Sequence, residues 1–367
     1  MSIRSGFALG LHIRNEDSST SALKKEILGQ TWWSVYSLDR TLSAITGRPS
    51  MGADVHCSVM LPLPISAEEL NDATITAGLE GNMRYSSLGE TRPWRQSASP
   101  DASRLPGVSP STSGASAYFD SFQEAANTGS FLASTVRLGI VSQSLLVDLY
   151  SPIVVTKSWK NVQETIALYL ERLESWLALL PKGLNPFQEH ELGEDMQQER
   201  NILAIYYYST KIMISRPCLC RLDRRIHSQT QRSSDFNHRV AVTCIESAKA
   251  IASFLPDNIT NQTREIYHLL PWWAVVHYMM QAITILLLEI CYDSEGLEIF
   301  PSFQKLVRWL RKLKTTNGMA RRAHTITLDL LKKLQVRLNL VSGTSYFSHS
   351  SRPILELRVP FKYTADI

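Results

Sequence analysis

Between residues 26 and 46, apolar side chains return every three or four positions. Leu28, Trp32, Val35, Leu38, Leu42 and Ile45 share one face of a predicted helix. Trp33 and Tyr36 widen that face, which predicts a helix buried on more than one side. Gly47 suits the left-handed position just past a helix end, and Pro49 bars an immediate restart. Pro62 and Pro64 then call for an extended stretch, and Ser66 with Glu69 forms a capping box that opens another helix. Asp39 and Arg40 interrupt the apolar run. A buried or half-buried ion pair with neighbours is the favoured reading, and a ligand contact is the lesser one.

The same period recurs along the chain. Ile3, Phe7 and Leu11 mark an amphipathic helix at the amino end. Phe119, Phe122, Ala126, Leu132, Val136, Ile140 and Leu145 predict one long or broken helix reaching Tyr150. Val162 to Leu180 carries a strong apolar stripe stopped by Pro181, and a helix through Ile202 and Met213 is expected to end at Pro217. Further helices are expected over Val240–Leu255, from Pro271 to about Cys291, over Phe303–Leu313 and over Ala320–Leu338. Leu355, Leu357 and Val359 alternate with charges and suggest a short extended tail. The fold class is therefore all-α, a large multi-helix domain. Residues 84–117 hold Pro93, Pro100, Pro106 and Pro110 among Ser, Gly and Thr; such a segment cannot bury enough surface to order itself and is read as a disordered insert.

Composition changes this picture little. A 367-residue chain with 44 % hydrophobic residues has ample material for a core, and a formal charge of +4 does not by itself call for nucleic acid. Lys305, Arg308, Arg311, Lys312, Lys314, Arg321 and Arg322 lie in an acid-free stretch; a solvated helix face is the favoured reading over an electrostatic contact with DNA or an acidic partner. Five scattered cysteines (Cys57, Cys218, Cys220, Cys244 and Cys291) suggest neither a disulfide framework nor a zinc site. The most apolar run, Ala274–Cys291, contains His277, Gln281 and Glu289 and reads as a buried core helix, so no membrane association is expected.

No phosphate loop, dinucleotide fingerprint or nucleophile elbow occurs. His190-Glu191 opens like a zinc-protease motif, but Glu194 stands where the second histidine would be. The chain is read as not an enzyme, with no catalytic, metal or DNA-binding residue of its own.

The segments Ala8-Leu9-Gly10-Leu11-His12, Glu26 to Arg40, Gly47-Arg48-Pro49 and Leu61-Pro62-Leu63-Pro64 together resemble the signature of the fungal-specific transcription factor domain. This is the middle homology region of fungal Zn2Cys6 zinc-cluster transcription factors. Arg216-Pro217 resembles the helix-ending Arg-Pro of that family, and Pro271-Trp272-Trp273 through Glu289 a later helix. The signature residues it implies are Trp32, Trp33, Tyr36, Leu38, Asp39, Arg40, Gly47, Arg48, Pro49, Leu61 and Pro62, in a structural role.

The resemblance implies a nuclear regulatory domain controlling RNA polymerase II transcription, N-terminally incomplete and lacking the zinc-cluster head. Residues 1–83 would be its first part, 84–117 the insert, 118–345 the second helical part and 346–367 a tail. It implies no cofactor in this chain, zinc in full-length relatives, and DNA contact only through a missing or partner head. Expected partners are a homo- or heterodimer with related factors and a small-molecule effector. The alternative is a metabolite-binding helical protein without a direct role in transcription. Trp32, Trp33, Trp272 and Trp273 would then line its pocket, although core anchors are the favoured reading for them.

Overall fold

The structure, a computed structural model, describes residues 2–46, 50–52, 57–80, 126–188, 196–222, 231–257, 266–267, 270–292 and 297–343. The expected insert at 84–117, the tail, Gly47-Arg48-Pro49 and His190-Glu191 lie outside these residues. Ten α-helices and no strand occur among the described residues, so the fold is all-α. The helices are α1 (Ser2–Ala8), α2 (Ala22–Thr46), α3 (Ala73–Glu80), α4 (Thr128–Tyr150) and α5 (Trp159–Ala178). They continue with α6 (Gln197–Leu222), α7 (Gln231–Ser253), α8 (Val275–Tyr292), α9 (Phe300–Leu313) and α10 (Gly318–Gly343).

The largest core joins α6 to α10 through Ile212, Cys244, Ala248, Ile283, Leu286, Leu306 and Leu310. Helices α6 and α7 are antiparallel: Cys218 faces Asn237 and Ile212 faces Cys244, so residue numbers fall on one helix as they rise on the other. A second core packs α4 and α5 on the other side of α6, through Leu145, Ile166, Tyr169, Leu173 and Leu203. Trp176 is fixed there by donating its indole N–H to the Ser134 carbonyl at 2.9 Å. A third core sets α1, α2 and α4 around Trp32, Trp33, Tyr36 and Val136. Ile3 is buried and Phe7 and Leu11 pack against this cluster, as the amino-terminal spacing predicts.

Several boundaries follow local chemistry. Asn127 caps α4, its side chain accepting from the Ser130 amide while Ser130 Oγ accepts in return from the Asn127 amide. The Ser66–Glu69 box forms as read, with Ser66 N–H donating to the Glu69 carboxylate at 2.7 Å and Glu69 N–H to Ser66 Oγ at 3.1 Å. Helix α4 is long and apolar enough to cross a membrane by length and composition. Here it is packed against α2, α5 and α6, and it carries Arg137 and Asp148.

Two expectations are overturned. Leu38 and Leu42 are each 44 % exposed, so they do not lie on the packed face of α2. That face is Ala22, Glu26, Gly29, Trp33, Tyr36 and Arg40, again at helical spacing, with Trp32 and Ser37 beside it. Nor does the helix through Ile202 end at Pro217: α6 continues to Leu222 with Pro217 inside it.

Candidate functional site

Helix α2 presents several polar groups toward main chain of residues 50–52 and 60–65. The buried Glu26 carboxylate accepts the Leu63 amide at 2.8 Å, and Gln30 donates to the Ile65 carbonyl at 3.1 Å. Trp33 donates its indole N–H to the Met60 carbonyl at 2.6 Å. Asp39 Oδ2 accepts the amides of Met51 and Gly52 at 3.0 and 3.2 Å. Arg40 donates to the Gly52 carbonyl at 2.6 Å and to Ser50 Oγ, and its guanidinium lies 4.5 Å above the Tyr36 ring.

Residues 50–52 and 57–66 thus form an irregular strap laid along the helix. An irregular segment that is buried must find partners for its amides and carbonyls, and α2 supplies them. Asp39 and Arg40 meet the main chain and a hydroxyl of this strap. Leu61 is half-buried and Pro62 buried at the same interface. Helix α4 closes the strap from its far side. Asn127 donates to the Pro64 carbonyl at 3.2 Å, and Gly129 sits so close that a Cβ there would lie 2.1 Å from the Ile65 oxygen.

Behind Arg40 opens a cavity of about 750 Å³ between α2, α4, α6 and α8. Each helix lends it a polar seam at helical spacing: Ser37, Arg40 and Thr41 from α2; Thr135 and Ser142 from α4; Tyr206, Thr210 and Arg216 from α6; His277, Gln281 and Thr284 from α8. Ser209 donates to Gln281 at 2.7 Å, and the Ser142 and Thr210 hydroxyls pair at 3.3 Å. Ser37 Oγ and Thr135 Oγ1 are buried without a hydrogen-bond partner.

Burial pushes the Tyr206 and Tyr278 hydroxyls above their usual range, and it pushes Tyr150 up to about 12 although Arg216 stands 4.8 Å from its ring. Burial also lowers His277, which keeps its imidazole neutral near pH 7.

None of the four tryptophans lines this cavity. Trp32 and Trp33 are core, Trp272 is 65 % exposed and Trp273 packs against the main core. Cys218 is buried and Cys220 exposed, so that pair diverges. Among the described residues no group of three or more His, Cys, Asp or Glu could hold a metal ion. Sequence reasoning did not assemble the cavity. Its signal lies in the polar residues of otherwise apolar helices, His277 and Gln281 among them.

The strap and the helix it crosses lie within a single family match. Residues 1–93 match the fungal specific transcription factor domain. Transcription regulator galc of Aspergillus niger is 26 % identical over 93 % of this chain and 44 % of the relative. Transcription factor FBD3 of Gibberella moniliformis is 23 % identical over 80 % of this chain and 34 % of the relative. An uncharacterized transcriptional regulatory protein of Schizosaccharomyces pombe is 37 % identical over 70 residues, 19 % of this chain and 9 % of the relative. The chain therefore spans less than half the length of these relatives. No solved structure matches it significantly.

Proposed function

We propose that this chain is the regulatory segment of a fungal zinc-cluster transcription regulator, acting in the nucleus on RNA polymerase II transcription. The names of the relatives and the family match support a role in transcription and not in turnover. The observation that carries the reading is the use of the polar residues on the packed face of α2. Glu26, Trp33, Asp39 and Arg40 hold the strap in place, so the signature is a scaffold. Zinc and DNA contacts then belong to a zinc-cluster head outside these 367 residues, on the same polypeptide or on a dimer partner.

Regulation by such a domain needs two packings whose balance a ligand or partner can tip. The test is to tether residues 1–367 to a heterologous DNA-binding module above a reporter gene. A several-fold change in transcription relative to the module alone is expected. Unchanged transcription with the fusion present in the nucleus would overturn the reading. The cavity favours a second reading, a metabolite-binding protein with no direct role in transcription, which the same reporter separates from the first.

A further inference from the structure

We propose that the outward face of α2 is a dimer interface, at which two copies of this chain pair antiparallel through Ile27, Thr31, Ser34, Leu38 and Leu42. These residues step by three or four positions and so form one line down the helix. All are exposed, Ile27 to 45 % and Leu38 and Leu42 to 44 % each, and half-buried Leu28 and Val35 flank them. Apolar side chains scattered singly over a surface need no explanation, but a continuous uncharged line of them marks a contact site.

The middle of this face carries no charge, and its hydroxyls are already bonded. Beyond Lys25 the charged residues of α2 are Glu26, Asp39 and Arg40, and all three turn to the strap. The Thr31 hydroxyl donates to the Ile27 carbonyl and the Ser34 hydroxyl to the Gln30 carbonyl, each at 2.8 Å, so both can leave water at little cost. A surface that covers this line must be neutral as well, and α2 itself is one. Turn a second copy end for end about a point between Ser34 and Val35. Leu38 of one copy then falls against Thr31 of the other, Val35 against Ser34 and Leu42 against Ile27. Large side chains meet smaller ones at the centre, as knobs entering holes between helices require, and the two-fold repeat closes the contact on itself.

Charge at the ends sets the direction. Lys24 lies on the same face at the amino end, and the last turn of α2 has no basic residue. Antiparallel pairing brings Lys24 of each copy beside the carbonyl end of the other helix, where the helix dipole favours a cation. It also keeps the two lysines about 30 Å apart by helical rise, well beyond a screening length of about 8 Å. Parallel pairing would set them side by side.

One helix face per copy is smaller than a standard interface of roughly 800 Å² a side, so a reversible dimer with a dissociation constant of order micromolar is expected. Sedimentation velocity of the full chain from about 1 to 200 μM should show a species of twice the 41.4 kDa chain mass growing with concentration. Leu38→Glu sets a charge at the centre of the face and should weaken the dimer about tenfold or more. Its melting temperature at about 1 μM should match wild type, since Leu38 already meets water in the single chain. Disulfide cross-linking reads the register. Ile27→Cys chains mixed with Leu42→Cys chains should link well above the background from exposed Cys220 and Cys291, and Ile27→Cys chains alone should not.

A monomer throughout that range, a dimer indifferent to Leu38→Glu, or Ile27→Cys chains that link to themselves as readily would overturn the proposal. The pairing stands on the face itself and not on the transcriptional reading. The tethered reporter tests that reading separately, so either can fail without the other.

Discussion

The Tyr150 hydroxyl donates to the Met213 carbonyl at 2.6 Å, and Met213 is the residue whose intrahelical partner would be the amide that Pro217 lacks. A proline inside a helix removes the i to i−4 bond and normally ends or kinks it at a cost of about 3 kcal/mol. Here a phenol from the end of α4 takes the orphaned acceptor. The Arg216 guanidinium then sits 4.8 Å from that phenol ring, so the Arg-Pro pair is docked onto α4 and α6 runs on through it.

Tyr150→Phe should therefore leave the partly buried Met213 carbonyl without this partner, costing about 1 kcal/mol. The loss should appear as a lower urea midpoint with unchanged m. Pro217→Ala restores an amide to that carbonyl, so it should recover part of the loss in the Tyr150→Phe background. A double-mutant cycle with no coupling would contradict the assignment.

The same tyrosine sets an alkaline limit. Its folded-state pKa is raised to about 12 from an ordinary value of 10, chiefly by burial, so the folded state prefers the neutral phenol. The stabilisation is complete below pH 10. It drains away from there as the unfolded chain ionises first, and is gone once pH passes the folded value. Tyr206 and Tyr278 shift the same way for the same cause and steepen the fall. Absorbance of tyrosinate followed with helical circular dichroism from pH 9 upward should show buried tyrosines ionising together with unfolding.

Two glycines should respond in opposite directions. Gly129→Ala places a Cβ 2.1 Å from the Ile65 oxygen, a backbone atom that cannot step aside without moving the strap. Overpacking of this kind costs about 1–3 kcal/mol or more. Gly29 lies mid-helix in α2, where an added Cβ would stand at an ordinary 3.6 Å from the Val59 side chain. Gly29→Ala should gain up to about 1 kcal/mol from helix propensity. Thermal melts of the two variants against wild type check both signs.

Loosening the strap should be visible to a protease. Asp39→Ala removes the acceptor for two amides, of Met51 and Gly52, and Glu26→Ala removes the acceptor for Leu63. Each should expose residues 50–52 and 57–66 to limited proteolysis well before the helical core is cut, since the core helices do not depend on those bonds. Glu26→Gln keeps an acceptor oxygen and should resist longer than Glu26→Ala.

Helix positions were legible because 3.6-residue periodicity and local chemistry set them. The Ser66–Glu69 box, the α8 and α9 segments and the amphipathic amino end all rest on contacts within one or two turns. The packed face of α2 was legible only in part. Trp32, Trp33 and Tyr36 are buried and Val35 and Ile45 pack against the cores as the spacing predicts, but Leu38 and Leu42 are exposed while Glu26 and Arg40 are buried. Only a strap with amides and carbonyls to satisfy makes a charged face the better one to cover.

By itself, then, the sequence determined that the chain is all-α, roughly where most helices begin and end, and which family signature its amino-terminal part resembles, since those depend on neighbours along the chain. Tertiary structure decided that α6 passes through Pro217, that α2 turns its charged face inward, and that four polar seams meet in one cavity. Each of these turns on a group supplied from elsewhere in the fold: the Tyr150 hydroxyl 63 positions before Met213, the Leu63 amide 37 after Glu26, and the seams of four separate helices. Hydrogen bonds of that reach have no period along a sequence, so nothing local announces them.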